Sequence, residues 1–392
     1  MQTGNGGQTA TSGQQPPNSG LPMMSLGALA RAIGADLVTA DSAPGGELGV
    51  TPAPGDLDLR DIAVVGIGHD SRTVAAGELW VALPGERTHG ARFTGQAVAR
   101  GPVAILTDAA GVELARTELA RTELARTEDA RLLPLLVSPN PRRAMADAAA
   151  LLMGEPARQM LTFGVTGTNG KTTTAFMIDS CLRATGRHVG LIGTVGFLLD
   201  GEPLVGVRTT TVTTPESPDL QRILATLVAR GADAMTMEVS SHALALQRAD
   251  AIEFDVAGFN NLGIDHLDFH HTLDEYFEAK AQLFTPAHTR HAVVNVDDER
   301  GRGLAERIRT AQEIALTTVS PSGASADVRV LSSRPESGSG TRIAVDVLGI
   351  RHEAVVGLPG AHNVANATLA IGMLAAAGLD LSGCLPGLAT VR

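Results

Sequence analysis

Gly164-Val165-Thr166-Gly167-Thr168-Asn169-Gly170-Lys171-Thr172-Thr173-Thr174 is the stretch whose reading decides the fold. Just before it, Met160 to Val165 is a short apolar run that reads as a buried strand. After it, Phe176, Ile178, Cys181 and Leu182 recur at helical spacing. Strand, glycine-rich turn and helix together make a phosphate cradle. The glycines let consecutive backbone N–H groups converge on an anion, and the helix N-terminus adds its positive dipole end. Lys171 is placed to reach terminal phosphates, and the Thr172 hydroxyl to ligate Mg²⁺. The usual pattern of Gly, four residues and Gly-Lys-[Ser/Thr] would need glycine at Val165. Here the glycines step by three instead, at 164, 167 and 170.

The use of cations singles out a second position. Of 31 basic side chains only Lys171 and Lys280 are lysine; every other one is arginine. Arginine therefore serves wherever a positive charge suffices, and the two exceptions mark places where a primary amine is chemically required. Lys280 lies in Tyr276-Phe-Glu-Ala-Lys280-Ala-Gln-Leu-Phe284. A neutral amine on a helix opposite a metal site can take up CO₂ and become a carboxylate, N6-carboxylysine, which no arginine can do.

Composition bounds the rest. With 392 residues, 44% hydrophobic and 19% charged, the chain reads as two or three globular domains. Aromatics at 3% leave the core to Ala, Val and Leu. A net charge of −11 argues against nucleic acid or an anionic membrane as the main partner. Two cysteines make no disulfide framework, and no apolar run reaches about 18 residues, so no membrane insertion is expected. A cytoplasmic monomer is the expectation.

Residues 1–22 are Gln, Gly, Ser, Thr, Asn and Pro and read as a disordered tail. Residues 23–155 read as a small α/β domain. It holds a helix at Leu26–Ile33, a strand at Ile62–Ile67, Asp70-Ser71-Arg72 in a turn, and strands near Val103–Thr107 and Leu132–Val137. Within it, Glu-Leu-Ala-Arg-Thr occurs three times between Glu113 and Thr127. A five-residue period walks about 140° per repeat around a helix, so 113–130 is expected to be a solvated helical insertion with no apolar face. Residues 156–392 read as the central domain. In it Arg208-Thr-Thr-Thr-Val-Thr213-Thr214-Pro-Glu216 suits a ligand loop or an edge strand. Glu238-Val-Ser240-Ser-His-Ala-Leu ends an apolar strand with polar groups, as a ligand edge or as a cap for the next helix. Asp265-His266-Leu-Asp-Phe-His270 follows another strand end, Asn295-Val-Asp297-Asp298 a third, and Asn363 opens a helix.

These motifs together resemble the Mur ligases, and the MurE type among them, over about residues 24–392. The resemblance implies a uridine-nucleotide-binding N-terminal domain, a P-loop-type ATPase domain with a mostly parallel sheet, and cofactors ATP and Mg²⁺. It implies ATP contacts from Gly167, Thr168, Asn169, Gly170, Lys171, Thr172 and Thr173, with Asn295, Asp298 and Asn363 on the adenosine side. Ser71 and Arg72 would meet the UDP moiety, with His89 near the uracil, although Thr-His-Gly-Ala-Arg-Phe departs from the usual Asp-Gly-His-x-Phe. Thr213, Thr214, Ser240 and Arg248 would hold the acceptor. Glu238 and Thr172 would serve one Mg²⁺, His266 and carbamylated Lys280 a second. Gly263-Ile264 stands where the family has Ser-Arg or similar. The implied reaction joins a diamino acid, meso-diaminopimelate by default over L-lysine, to UDP-N-acetylmuramoyl-L-alanyl-D-glutamate. The sequence stops near where a third, Rossmann-like domain would begin, so this stretch alone is expected not to complete that reaction. A cyanophycin-synthetase-like or folylpolyglutamate-like ligase, or a nucleotide-binding module without catalysis, are the alternatives; the Asp-Ser-Arg domain argues against the first two.

Overall fold

A computed structural model of the chain describes residues 23–39, 58–122, 133–207, 212–336 and 340–392. The expected tail at 1–22, the third copy of the repeat and Arg208–Thr211 lie outside the described residues.

The phosphate-loop strand, Leu161–Thr166, occupies the middle of an eleven-stranded sheet. Ala234–Glu238 pairs with it in parallel on one side and Phe254–Phe259 on the other. Val189–Gly193, Thr289–Asn295 and Ala315–Ser320 extend the parallel run. Antiparallel hairpins finish both edges: Gly196–Leu199 with Glu202–Pro203, and Gly340–Val347 with Val328–Glu336 and Ile350–Val356. A parallel strand needs a crossover, and the crossovers supply helices to both faces. On one face Lys171–Ala184 and Ala361–Ala376 bury Met177, Ile178, Cys181, Leu182, Leu369 and Met373. On the other, Ser217–Ala229, Leu273–Ala281 and Glu299–Ala311 bury Leu220, Leu224, Phe277, Leu304 and Ile308. The mostly parallel P-loop-type sheet is as expected.

The N-terminal domain is built on a five-stranded sheet. Gly66–Gly68, Glu78–Val81, Ala104–Thr107 and Pro134–Val137 run parallel, and Asp36–Thr39 pairs antiparallel at the edge. The expected single strand at 62–67 is broken. Ala63–Val64 pairs with Met24–Ser25, while Gly66–Gly68 joins the main sheet, so one apolar run feeds two sheets. The repeat also departs from expectation. Helix Ala109–Leu119 contains its first copy and buries Val112, Ala115 and Leu119 at i, i+3 and i+7. Val112 precedes the repeat and one copy is too short for the 140° drift to matter, so an apolar face survives. The Glu113–Arg116 and Glu118–Arg121 pairs at 2.7 Å stand on the solvent side.

The two domains meet through helix Pro141–Leu152 and helix Ser217–Ala229. Arg222 donates to the Ile67 carbonyl and lies 3.6 Å from Glu78. Arg142 donates to the Leu246 carbonyl and to Glu216.

Candidate active site

The carboxyl edge of the central sheet gathers the predicted side chains. Gly170 has φ +83°, a left-handed conformation that glycine adopts without strain, and it starts the helix Lys171–Ala184. A Cβ there would also lie 2.1 Å from the Asn366 side-chain oxygen, so the position is closed to larger residues. Lys171 Nζ donates to the Gly167 carbonyl at 2.8 Å and the Thr168 carbonyl at 3.0 Å. Burial lowers its pKa, with Glu238 and Asp265 opposing.

Lys280 arrives from the facing helix Leu273–Ala281 and donates at 3.0 Å to the same Gly167 carbonyl. The chain's two lysines therefore converge on one oxygen. Lys280 is 1% exposed, and burial, reinforced by the charge of Lys171, lowers its pKa to about 7. Its ammonium lies 4.4 Å from the centre of the Tyr276 ring. The Tyr276 hydroxyl lies 3.3 Å from the Thr168 hydroxyl, which accepts from Gly263 N–H at 2.8 Å.

Glu238 closes the opposite wall at 1% exposure. It accepts from the Thr172 hydroxyl at 2.9 Å, from Thr194 N–H at 2.8 Å and from the Thr194 hydroxyl at 3.2 Å. Gly193 makes room for it, since a Cβ there would lie 2.1 Å from the carboxylate. Hydroxyl and carboxylate oxygens are the hard donors that Mg²⁺ takes, and Thr172 keeps lone pairs while donating. The set thus fits a nucleotide-bound Mg²⁺. Among the described residues no three His, Cys, Asp or Glu side chains cluster as a protein-only metal site.

His266 sits at the N-terminus of the short helix Leu267–His270 with φ +53°. Its ring meets those of His242 at 4.8 Å and Tyr276 at 6.0 Å, which puts it on the same aromatic wall as Lys280. His270 is buried, bonds Ser241 at 2.9 Å, and is held down to about pKa 4 by burial and by the neighbouring His242.

Asparagines brace the loop from beneath. Asn169 N–H donates to Asn261, and Asn260 and Asn261 both donate to the Asn169 carbonyl at 3.1 Å. Asn260 also donates to Asn366 at 2.8 Å, and Asn295 donates to the Asn260 carbonyl at 2.9 Å. Asp298 accepts from Leu262 N–H and caps the helix Glu299–Ala311. Asn363 is tied to the Pro359 carbonyl and accepts from Asn366.

The acceptor-side candidates form a second group. Thr214 donates to the Glu238 carbonyl at 3.0 Å, and the Thr213 hydroxyl lies 3.3 Å from that of Thr194. Ser240 caps the helix Ser241–Ala245, and Arg248 is paired with Glu216 at 2.8 Å. Ser71, Arg72 and His89 stay in the N-terminal domain. Ser71 donates to Gln96, Arg72 pairs with Asp70, and His89 accepts Ala91 N–H while its other nitrogen meets Asp108.

The profile of the Mur ligase middle domain matches residues 165–374, and that of the Mur ligase family catalytic domain matches 63–151. The chain belongs to the Mur ligase family. Similar relatives include the UDP-N-acetylmuramoyl-L-alanyl-D-glutamate--2,6-diaminopimelate ligase of Streptomyces avermitilis, 44% identical over 85% of this chain and 62% of that protein. The UDP-N-acetylmuramyl-tripeptide synthetase of Deinococcus radiodurans is 43% identical over 63% of this chain and 47% of that one. A solved UDP-N-acetylmuramoyl-L-alanyl-D-glutamate--2,6-diaminopimelate ligase superposes with TM-score 0.69 at 25% identity, covering 87% of this chain and 65% of the other. The chain thus spans less than two thirds of the length of these relatives.

In this Mur ligase family member several site residues were not singled out from the sequence. Thr194 follows the strand Val189–Gly193, and Asn260, Asn261 and Asn366 act through the loop they brace. Their common signal is position just beyond a parallel strand's carboxyl end, or one turn after a recognised Asn.

Proposed function

We propose that the chain forms the nucleotide- and acceptor-binding part of an ATP-dependent amide ligase of peptidoglycan precursor synthesis in the cytoplasm. The enzyme adds meso-diaminopimelate to UDP-N-acetylmuramoyl-L-alanyl-D-glutamate. The relatives' names support this amino acid over L-lysine. A carboxylate is a poor electrophile, so ATP converts it to an acyl phosphate that the incoming amine attacks with loss of phosphate. Gly167–Thr173 receives the phosphates, and Lys171 turns from the Gly167 and Thr168 carbonyls to the terminal phosphate. Thr172 and Glu238 hold a Mg²⁺ that neutralises phosphate charge, and Asn295, Asp298 and Asn363 line the adenosine side.

Lys280, carbamylated, and His266 hold the second Mg²⁺. A buried amine with pKa near 7 is partly neutral at physiological pH, which CO₂ addition requires. Ser240, Thr213 and Thr214 hold the acceptor's peptide with Arg248 beside them, and Ser71, Arg72 and His89 hold its uridine diphosphate.

The observation that carries this reading is the convergence of both lysines on the Gly167 carbonyl, facing the Thr172–Glu238 pair. Calorimetry tests it with Mg²⁺–ATP and with the acceptor nucleotide. Lys171→Met is expected to weaken ATP by at least about tenfold, the scale of one charge-assisted contact, and to leave the acceptor unchanged. In ¹³C-bicarbonate, wild type is expected to show a carbamate carbon signal that Lys280→Met lacks. Unaltered ATP affinity in Lys171→Met would rule out the phosphate assignment. A carbamate signal persisting in Lys280→Met would rule out the modification.

A further inference from the structure

Arg248 does not stand ready for a substrate carboxylate. Its Nε and Nη2, the edge that grips a carboxylate with two bonds, both lie 2.8 Å from one Glu216 oxygen. Its Nη1 donates to the Thr214 carbonyl at 3.3 Å. Glu216 occupies the N-cap position of helix Ser217–Ala229 but makes no side-chain cap bond, so its carboxylate is committed to arginines.

The second arginine comes from the other domain. Arg142, in the first turn of helix Pro141–Leu152, lies 3.5 Å from the other Glu216 oxygen and 3.4 Å from the Leu246 carbonyl, both through Nη1. Among the described residues its Nε–H and both Nη2–H groups have no protein acceptor. Its side chain is 25% exposed. The two-bond edge closed on Arg248 is therefore open on Arg142. Neighbouring Arg143 is not equivalent, since its Nε is bound to Asp147 at 2.9 Å. Two guanidinium groups share one carboxylate here, which leaves one positive charge beside the Thr213–Glu216 segment.

We propose that Arg142 is a binding and specificity residue for the acceptor: its free edge takes a carboxylate of the peptide, while Glu216 holds Arg248 in place beside it. This rests on the acceptor assigned above. Because Arg142 belongs to the N-terminal domain, which carries the uridine-side candidates, it would read the peptide end of a nucleotide whose other end that domain holds. Productive binding would thus register the fit between the two domains.

The test compares two nucleotides on the same chain by calorimetry: UDP-N-acetylmuramoyl-L-alanyl-D-glutamate, and UDP-N-acetylmuramoyl-L-alanine, which lacks the terminal diacid. Arg142→Met is expected to weaken the first by roughly 10- to 100-fold and the second by less than about twofold. Arg142→Lys is expected to recover part of the loss, as a charge without the fork. Equal losses for both nucleotides would show a merely structural role at the seam, and no loss for either would also overturn the proposal. If wild type bound the two nucleotides equally, the acceptor reading itself would fall, and the role of Arg142 with it.

Discussion

His270 shows how burial, reinforced by neighbouring cationic groups, sets a charge state. It is 5% exposed, faces His242 and Tyr276, and its ring bonds Ser241, so the imidazolium has lost water and Asp268 opposes that loss only weakly. Its folded pKa, about 4, lies below the unfolded value near 6.5. The unfolded chain therefore binds the extra proton first as pH falls, and stability drops between about pH 6.5 and 4. Urea unfolding at a series of pH values is expected to show this drop. His270→Gln, neutral throughout, should remove about 1–3 kcal/mol of the acid-side loss relative to pH 7.5. An unchanged acid slope in the variant would contradict the assignment. Burial likewise pushes the thiol of Cys181 far up, on the fully enclosed face of the phosphate loop's helix.

A strand end and a helix start at the edge of the central sheet show why position within an element matters. Val189–Gly193 stops at a glycine because the Glu238 carboxylate lies where a side chain would be. Gly193 lies outside the left-handed region, so the backbone would accept alanine and the collision with Glu238 is what it tests. Gly193→Ala is expected to push the carboxylate from the Thr172 and Thr194 hydroxyls and raise the Mg²⁺ concentration needed for nucleotide binding severalfold. Overall stability should fall by about 1–3 kcal/mol. Titrating Mg²⁺ at fixed ATP checks it; a wild-type Mg²⁺ midpoint would separate Glu238 from the metal. Gly170 is more constrained, since its left-handed backbone and the Asn260–Asn366 pair both exclude a side chain.

At the scale of the molecule, a few polar contacts join the two domains among the described residues. Arg222 reaches Ile67 and Glu78 across 155 and 144 positions of sequence, and Arg142 bridges to Glu216 and Leu246. A seam of one helix pair and a few charged side chains allows relative motion. Arg222→Ala is expected to leave circular dichroism unchanged while speeding proteolysis around Gly154–Pro156, the turn between domains where Glu155 has φ +49°. A cleavage rate equal to wild type would mean that helix packing alone holds the seam.

What the sequence determined by itself is what local chemistry dictates. The phosphate loop was legible because strand, glycines and lysine are contiguous, and Lys280 because a composition of 31 cations with two lysines isolates it. The mostly parallel sheet was what the resemblance carried by these motifs implied. Tertiary structure alone decided the rest. The run at 62–67 splits between two sheets because hydrogen bonding to Met24–Ser25 and to Glu78–Val81 competes for it. The repeat keeps an apolar face because Val112 and the sheet beneath complete it. Thr194, Asn260 and Asn366 enter the site, and Glu216 closes on Arg248, through contacts 32 to 106 residues apart. Such contacts leave no periodicity in the chain, because burial and charge pairing act between segments that meet only once the sheet has formed.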